Sequence, residues 1–234
     1  MLFYNTRVSF LERGISVKRL TLFAGHYGSG KTNIAVNYAM MLKKQGFDVV
    51  VADLDIVNPY FRTKDSEDEL KKMDIELISS QFANSNLDLP SLPQEMYRTV
   101  QDKSKYAVMD IGGDDAGAVA LGRFAPFIKD ENNYDMVFVV NFFRPLSRTA
   151  EEAFEIMKEI EAASKLKFTS IVNNSNLGDL TTVKDILSTE TEAEKLVALS
   201  GLPLKMTSVK ESLYNELNDK TNNLFCLALQ NKIF

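Results

Sequence analysis

A chain of 234 residues, 45% hydrophobic and 25% charged, has the balance of a soluble globular protein and the length for one sizeable α/β core. Its formal charge of −5, with no run of Lys and Arg, excludes an electrostatic nucleic-acid binder. The lone cysteine, Cys226, excludes an internal disulfide or a Cys-x-x-Cys metal site and reads as a packed core thiol. No apolar run approaches the roughly 18 residues of a membrane span, and residues 1–7 lack the order of a signal peptide, so the cytoplasm is the expected compartment.

In chain order, residues 1–17 show no periodicity and read as an added arm or extra edge strand. The apolar run at 19–24 predicts a buried strand, and it empties into Gly25-His26-Tyr27-Gly28-Ser29-Gly30-Lys31-Thr32. This is G-x-x-x-x-G-K-[ST], followed from Asn33 onward by a helical pattern that Gly46 closes. A helix N-terminus offers unpaired amides and the positive end of a dipole, and the glycines let the backbone curl its N–H groups around a polyanion. Gly25, Gly28, Ser29, Gly30, Lys31, Thr32 and Asn33 are therefore the expected nucleotide-binding residues. Lys31 reaches the β and γ phosphates, and the Thr32 hydroxyl is placed to ligate Mg²⁺.

Residues 47–53 form the next apolar strand, ending in Asp53-Leu54-Asp55-Ile56-Val57-Asn58. If strand geometry persists, the two aspartates point to one side. There one could orient metal-bound water and the other the attacking water. A short helix at 66–73, a strand at 75–78, a polar loop at 81–93 and a helix at 94–102 follow. The strand at 106–110 then delivers Asp110, with Gly112 and Gly113 behind it, where a carboxylate can hold Mg²⁺ and a flexible pair can respond to the γ-phosphate.

Beyond this, the pattern predicts a helix over 116–129, a strand over 134–141 and a helix capped by Ser147. It continues with a strand over 168–172 leading into Asn173-Asn174-Ser175-Asn176, a helix over 190–200, a short strand at 204–206 and a helix over 210–217. The apolar tail from 224 carries one lysine, too few for a membrane-surface helix, and is expected to pack on the core. Strands alternating with helices at this spacing predict a mostly parallel central sheet covered by helices on both faces, with ligands at the carboxyl ends of the strands.

Together the loop, Asp53-x-Asp55, Asp110-Ile-Gly112-Gly113 and Asn173-Asn174 resemble the MinD/ParA-type (SIMIBI class) P-loop ATPases, which include nitrogenase iron protein and CooC-like maturation factors. The likeness runs over about residues 18–210. It implies a three-layer α/β P-loop NTPase fold, a single nucleotide-binding domain over 18–234, and ATP with Mg²⁺ as ligands. By position it implies Asp55 as the water-activating aspartate and Asp53 as its partner near the metal, with Lys31 completing the catalytic set. It makes Asp110 the second acidic motif, and Asn173 or Asn174 the asparagine facing the base. It also implies a protein partner and leaves room for a homodimer.

One departure stands out. The lysine that follows the first loop glycine in that family, and serves the neighbour's phosphates, is His26 here. The ligases of dethiobiotin synthetase and cobyrinate amide synthetase type, which also lack that lysine, are the alternative reading, with the loop at 81–93 helping to hold a substrate. A nucleotide sensor with negligible turnover is a third. Guanine-specific enzymes read their base with Asn-Lys-x-Asp; counted from Asn173, the carboxylate is replaced by Asn176, whose amide suits adenine better.

Overall fold

The computed structural model describes residues 17–55, 66–79, 94–113, 115–221 and 223–227. Most of the N-terminal arm, the continuation of the Asp53-x-Asp55 segment through Asn58, the polar loop at 81–93, and the tail from 228 lie outside the described residues.

The described chain builds one eight-stranded sheet. β1 (Leu20–Ala24) leads through the loop into α1 (Lys31–Lys44) and then β2 (Val49–Leu54). α2 (Glu67–Lys72), β3 (Glu76–Ser79), α3 (Gln94–Gln101) and β4 (Tyr106–Ile111) follow. The remainder is α4 (Asp115–Gly122), α5 (Ala125–Glu131), β5 (Tyr134–Val140), α6 (Ala150–Ser164), β6 (Ser170–Asn173), α7 (Val183–Ser188), α8 (Glu190–Ser200), β7 (Leu204–Lys210), α9 (Glu211–Leu217) and β8 (Leu224–Leu227). The strand order is β3-β2-β4-β1-β5-β6-β7-β8, and every pairing is parallel.

Parallel strands buried on both faces must be apolar on both, and strand alternation divides their side chains between two cores. Phe23, Val49, Val51, Val108, Val137 and Val139 pack with Ile34, Ala35, Tyr38 and Leu42 of α1 on one face. Leu20, Leu22, Val50, Ala52, Met109 and Phe138 pack with Leu121, Phe124, Ala153 and Met157 on the other. The chain moves outward from β1 to β3, returns to β4 beside β1, and crosses to β5 on its other side. That reversal is the topological switch point, where open α/β sheets place their ligands.

Several expectations need correction. The helix over 116–129 is two helices, because Pro126 stands in the first turn of α5 and would cost about 3 kcal/mol inside a continuous helix. Ser147 is not the cap of α6. Thr149 takes that place, accepting from Glu152 N, while the Ser147 hydroxyl donates to Asn141 O at 2.9 Å. Cys226 is only half-buried, since it alternates with the core residues Phe225 and Leu227 along β8. α7 and β8 are additions to the predicted set, and β7 runs on to Lys210. Gly46 closes α1 as expected: at φ 91° it donates to Lys43 O, while Phe47 N reaches back to Leu42 O.

Candidate functional site: the phosphate loop and its strand-end carboxylates

The loop over residues 25–30 joins the central strand β1 to α1. Gly30 occupies the N-cap at φ 84°, and no side chain caps the helix. Nor does an acidic residue stand in its first turn, so the amides of the helix end are left for an anion. The left-handed φ is one reason for glycine at position 30. The other is Asn174, whose Nδ2 occupies the space that a Cβ there would need.

Asn174 fixes the loop. Its Nδ2 donates to Ser29 O at 2.7 Å, and its Oδ1 accepts from the Ser208 hydroxyl. It is 2% exposed. Inside the loop, the buried Ser29 hydroxyl has no hydrogen-bond partner. A buried hydroxyl of this kind fits a cradle whose ligand brings the acceptors. Lys31 is buried, and its Nζ donates to the His26 carbonyl at 3.2 Å.

The carboxylates reach the same place through sheet register. Asp53 pairs with Asp110 across β2 and β4, and Asp110 pairs with Phe23 across β4 and β1. Paired residues of parallel strands point to one face, with neighbouring strands about 4.8 Å apart. That face is the one α1 covers, since Val49, Val51, Val108 and Phe23 all pack there. Asp53 and Asp110 thus stand side by side beneath the helix that begins with Lys31 and Thr32, and both are buried. Such a pair of buried oxygen donors suits Mg²⁺, which takes a few protein oxygens and completes its shell with water and phosphate.

Asp55 lies one residue past β2. Asp53 Oδ accepts from its amide at 2.9 Å, so the chain turns there. Asp55 is 8% exposed.

Behind Asp110, Gly113 touches the loop directly. A Cβ on Gly113 would fall 2.7 Å from Lys31 Nζ, 2.7 Å from Tyr27 N and 2.9 Å from Tyr27 Cα. Gly117 of α4 closes equally tightly on Gly112. The segment after β4 is therefore in contact with the loop lysine, Lys31.

On the other side of the loop, the two candidate asparagines have separate surroundings. Asn174 holds the loop as described. Asn173, 1% exposed, donates to Thr189 Oγ at 3.0 Å and accepts from Ser175. A small pocket opens beyond Asn174, lined among others by Asn176, Thr181, Ile186, Ser208 and Val209. Burial first, and then the Lys31 charge, lower the pKa of His26 from its ordinary 6.5, against a smaller opposing pull from Glu159.

Residues that the sequence reading passed over complete the site. Asn141, at the end of β5, accepts from Phe143 N and Asn176 N and donates to Asn176 O. Arg144 donates from Nε to Gly28 O at 3.1 Å. Asn141 stands at a strand end like the aspartates, and that position could have flagged it; nothing in the sequence placed Arg144 beside the loop.

The CobQ/CobB/MinD/ParA nucleotide binding domain matches residues 20–211. The chain belongs to the CobQ/CobB/MinD/ParA nucleotide-binding family. Its match begins with β1 and ends with the first residue of α9, so it takes in the loop, both acidic strand ends and the asparagine run.

Among solved structures, FtsY from Mycoplasma mycoides is similar at 18% identity and a TM-score of 0.56, over 83% of this chain and 61% of that one. FtsY from Thermotoga maritima is similar at 16% and 0.55, over 81% and 61%. The signal recognition particle 54 kDa protein from Aeropyrum pernix, in complex with GDP, is similar at 15% and 0.55, over 82% and 41%. The chain thus spans about three fifths of the length of the FtsY structures it matches. At these identities the likeness is one of fold: this member of the family is a P-loop NTPase-like α/β domain. No curated protein matches the sequence. Among the described residues, no helix is long and apolar enough to cross a membrane.

Proposed function

We propose that the chain is a Mg²⁺-dependent ATPase that works as a nucleotide-driven switch on a protein partner, with a metalloenzyme under assembly as the kind of client. The observation that carries this reading is the register of Asp53 with Asp110 on the face of the sheet that α1 covers. It sets two buried carboxylates beside the helix end that bears Lys31 and Thr32.

In this reading, the amides of residues 30–32 and the Lys31 side chain hold the phosphates. Thr32 and Asp110 hold Mg²⁺, with Asp53 beside them, and Asp55 positions the attacking water. The metal, when bound, neutralises charge on the phosphate oxygens. Gly113, packed on Lys31 Nζ and the Tyr27 backbone, passes the state of the γ-phosphate into α4.

Adenine is favoured over guanine because no carboxylate stands where a guanine reader needs one. Counted from Asn173, the fourth position is Asn176; counted from Asn174, which braces the loop, it is Leu177. A leucine accepts no hydrogen bond, and an amide lacks the charge. The GDP held by the Aeropyrum pernix relative makes the base choice worth measuring directly.

The test is phosphate release from purified chain with Mg-ATP, alongside competition between ATP and GTP for binding. Release with ATP alone supports the switch. Release only after a small-molecule acceptor is added supports the ligase alternative, for which His26 in place of the loop lysine speaks. Tight ATP binding with no release under either condition makes the chain a sensor. GTP outcompeting ATP overturns the base assignment.

A further inference from the structure

The phosphate loop carries one fixed cation of its own, Lys31, because position 26 is a histidine whose neutral form is favoured by burial. A second comes from another part of the chain. Arg144 lies against the rim of the loop, its Nε donating to Gly28 O. A Cβ built on Gly28 would meet Nε, Cδ and Cζ of this arginine at 3.5, 3.6 and 3.7 Å. Among the described residues its two terminal amino groups have no hydrogen-bond partner. A guanidinium anchored through Nε alone keeps the donors that suit phosphate.

Its mounting is stiff. The β5–α6 connection is held by Phe142 N on the Ser175 hydroxyl at 3.0 Å, by Arg144 N on Asn141 O at 3.0 Å and by Ser147 Oγ on Asn141 O at 2.9 Å. Leu146 is forced to φ 66°, a left-handed conformation that leucine disfavours, and is itself 65% exposed. Strain of this sort persists where the surroundings over-determine a loop.

The connection also sits between two parts of the site. It touches the loop through Arg144 and Gly28, and touches the asparagine run through Asn141 and Asn176. The pocket beyond Asn174 is lined by that same run. A nucleotide with its phosphates in the loop would bring them to the rim where Arg144 lies.

We propose that Arg144 is a nucleotide-binding residue, a second cation supplied from within the same chain that donates its terminal N–H groups to the phosphate oxygens. The inference rests on the nucleotide reading above and deepens it. A charge delivered in cis does not wait for a second copy of the chain, so turnover per chain is independent of protein concentration.

The experiment is titration calorimetry of the full chain with Mg-ATP and, separately, with inorganic tripolyphosphate, for wild type, Arg144→Gln, Arg144→Lys and Lys31→Ala. Each is run at low and high salt, with melting curves and with turnover measured across protein concentrations. Arg144→Gln is expected to weaken both ligands about tenfold or more, to flatten the salt dependence of Kd and to leave the melting temperature in place. Arg144→Lys recovers part of the loss. Wild-type Kd and salt dependence in Arg144→Gln, or a loss of affinity that tracks a fallen melting temperature, overturns the assignment while leaving the nucleotide reading intact, provided Lys31→Ala still loses affinity. Turnover per chain that rises with protein concentration overturns the cis supply. No binding of either ligand to the wild type overturns both readings.

Discussion

Replacing Gly113 by alanine adds one methyl group at the point where the segment behind Asp110 meets the phosphate loop. It would lie 2.7 Å from Lys31 Nζ, 2.7 Å from Tyr27 N and 2.9 Å from Tyr27 Cα. Ordinary contacts of this kind are about 3.5–4 Å, so both neighbours are overlapped by most of an ångström. The lysine tip can swing aside, but the Tyr27 backbone moves only with the loop. Overpacking of this size costs about 1–3 kcal/mol. In the free protein, a shift of the loop relieves part of it. Bound phosphate demands one curl of the loop and one place for Lys31, so the strain falls on the complex. The expected result is a Kd for Mg-ATP raised roughly 5- to 150-fold in titration calorimetry, with a small change in the melting temperature of the free chain. Gly46→Ala is the matched control. Its Cβ meets nothing within 4 Å, but its φ, unlike that of Gly113, is positive, so it should lose about 1 kcal/mol of stability and no affinity. A Gly113→Ala chain that binds Mg-ATP like wild type would refute the contact between this segment and the phosphate site.

Asp55→Asn is expected to abolish phosphate release while sparing ATP affinity; lost affinity with unchanged turnover per bound ATP would reject its role with water. Asn174→Ala removes the brace on Ser29 O and a partner of Ser208. About 1–3 kcal/mol should go from stability, read as a lower urea midpoint, together with weaker nucleotide binding. At the far end of the sheet, the Arg19 guanidinium pairs with Glu131 and donates to the carbonyls of Thr99, Asp102 and Lys105. Arg19→Ala leaves that largely buried carboxylate alone and should cost about 3–5 kcal/mol without altering Kd once saturably folded. His26 titrates below its ordinary 6.5, so the folded state resists protonation there. Its contribution is full above that pH and is lost as pH falls below it. Between pH 7.5 and 5.5, wild type should therefore lose more stability than His26→Asn, whose side chain does not charge.

How much of this could be read in advance depended on how local each signal was. β1, the loop and α1 are consecutive, and their spacing alone located Lys31 and Thr32. The convergence of Asp53 with Asp110 was suggested by their positions at strand ends, but it is decided by inter-strand register, which a single sequence does not state. Thr149 rather than Ser147 caps α6 because the chain spends Pro145 and Leu146 on a braced turn, bringing Ser147 back onto Asn141. α7 is six residues long with only Ile186 buried, too short to show a period. Asn173 and Asn174 are adjacent, and only the packing tells which of them meets the loop. Arg144 reaches Gly28 across 116 positions of sequence, a distance over which composition and periodicity carry no information.

The pairing of Asp53 with Asp110 ties the proposed metal ligands to the fidelity of strand alignment in the interior. Were β2 to slide by a single position against β4, the two carboxylates would part to opposite sides of the sheet, although no residue near the nucleotide had changed. The valines at 49, 51 and 108 hold that alignment from below. Substituting them with smaller side chains would thus disturb the placement of the two carboxylates along with the stability of the fold.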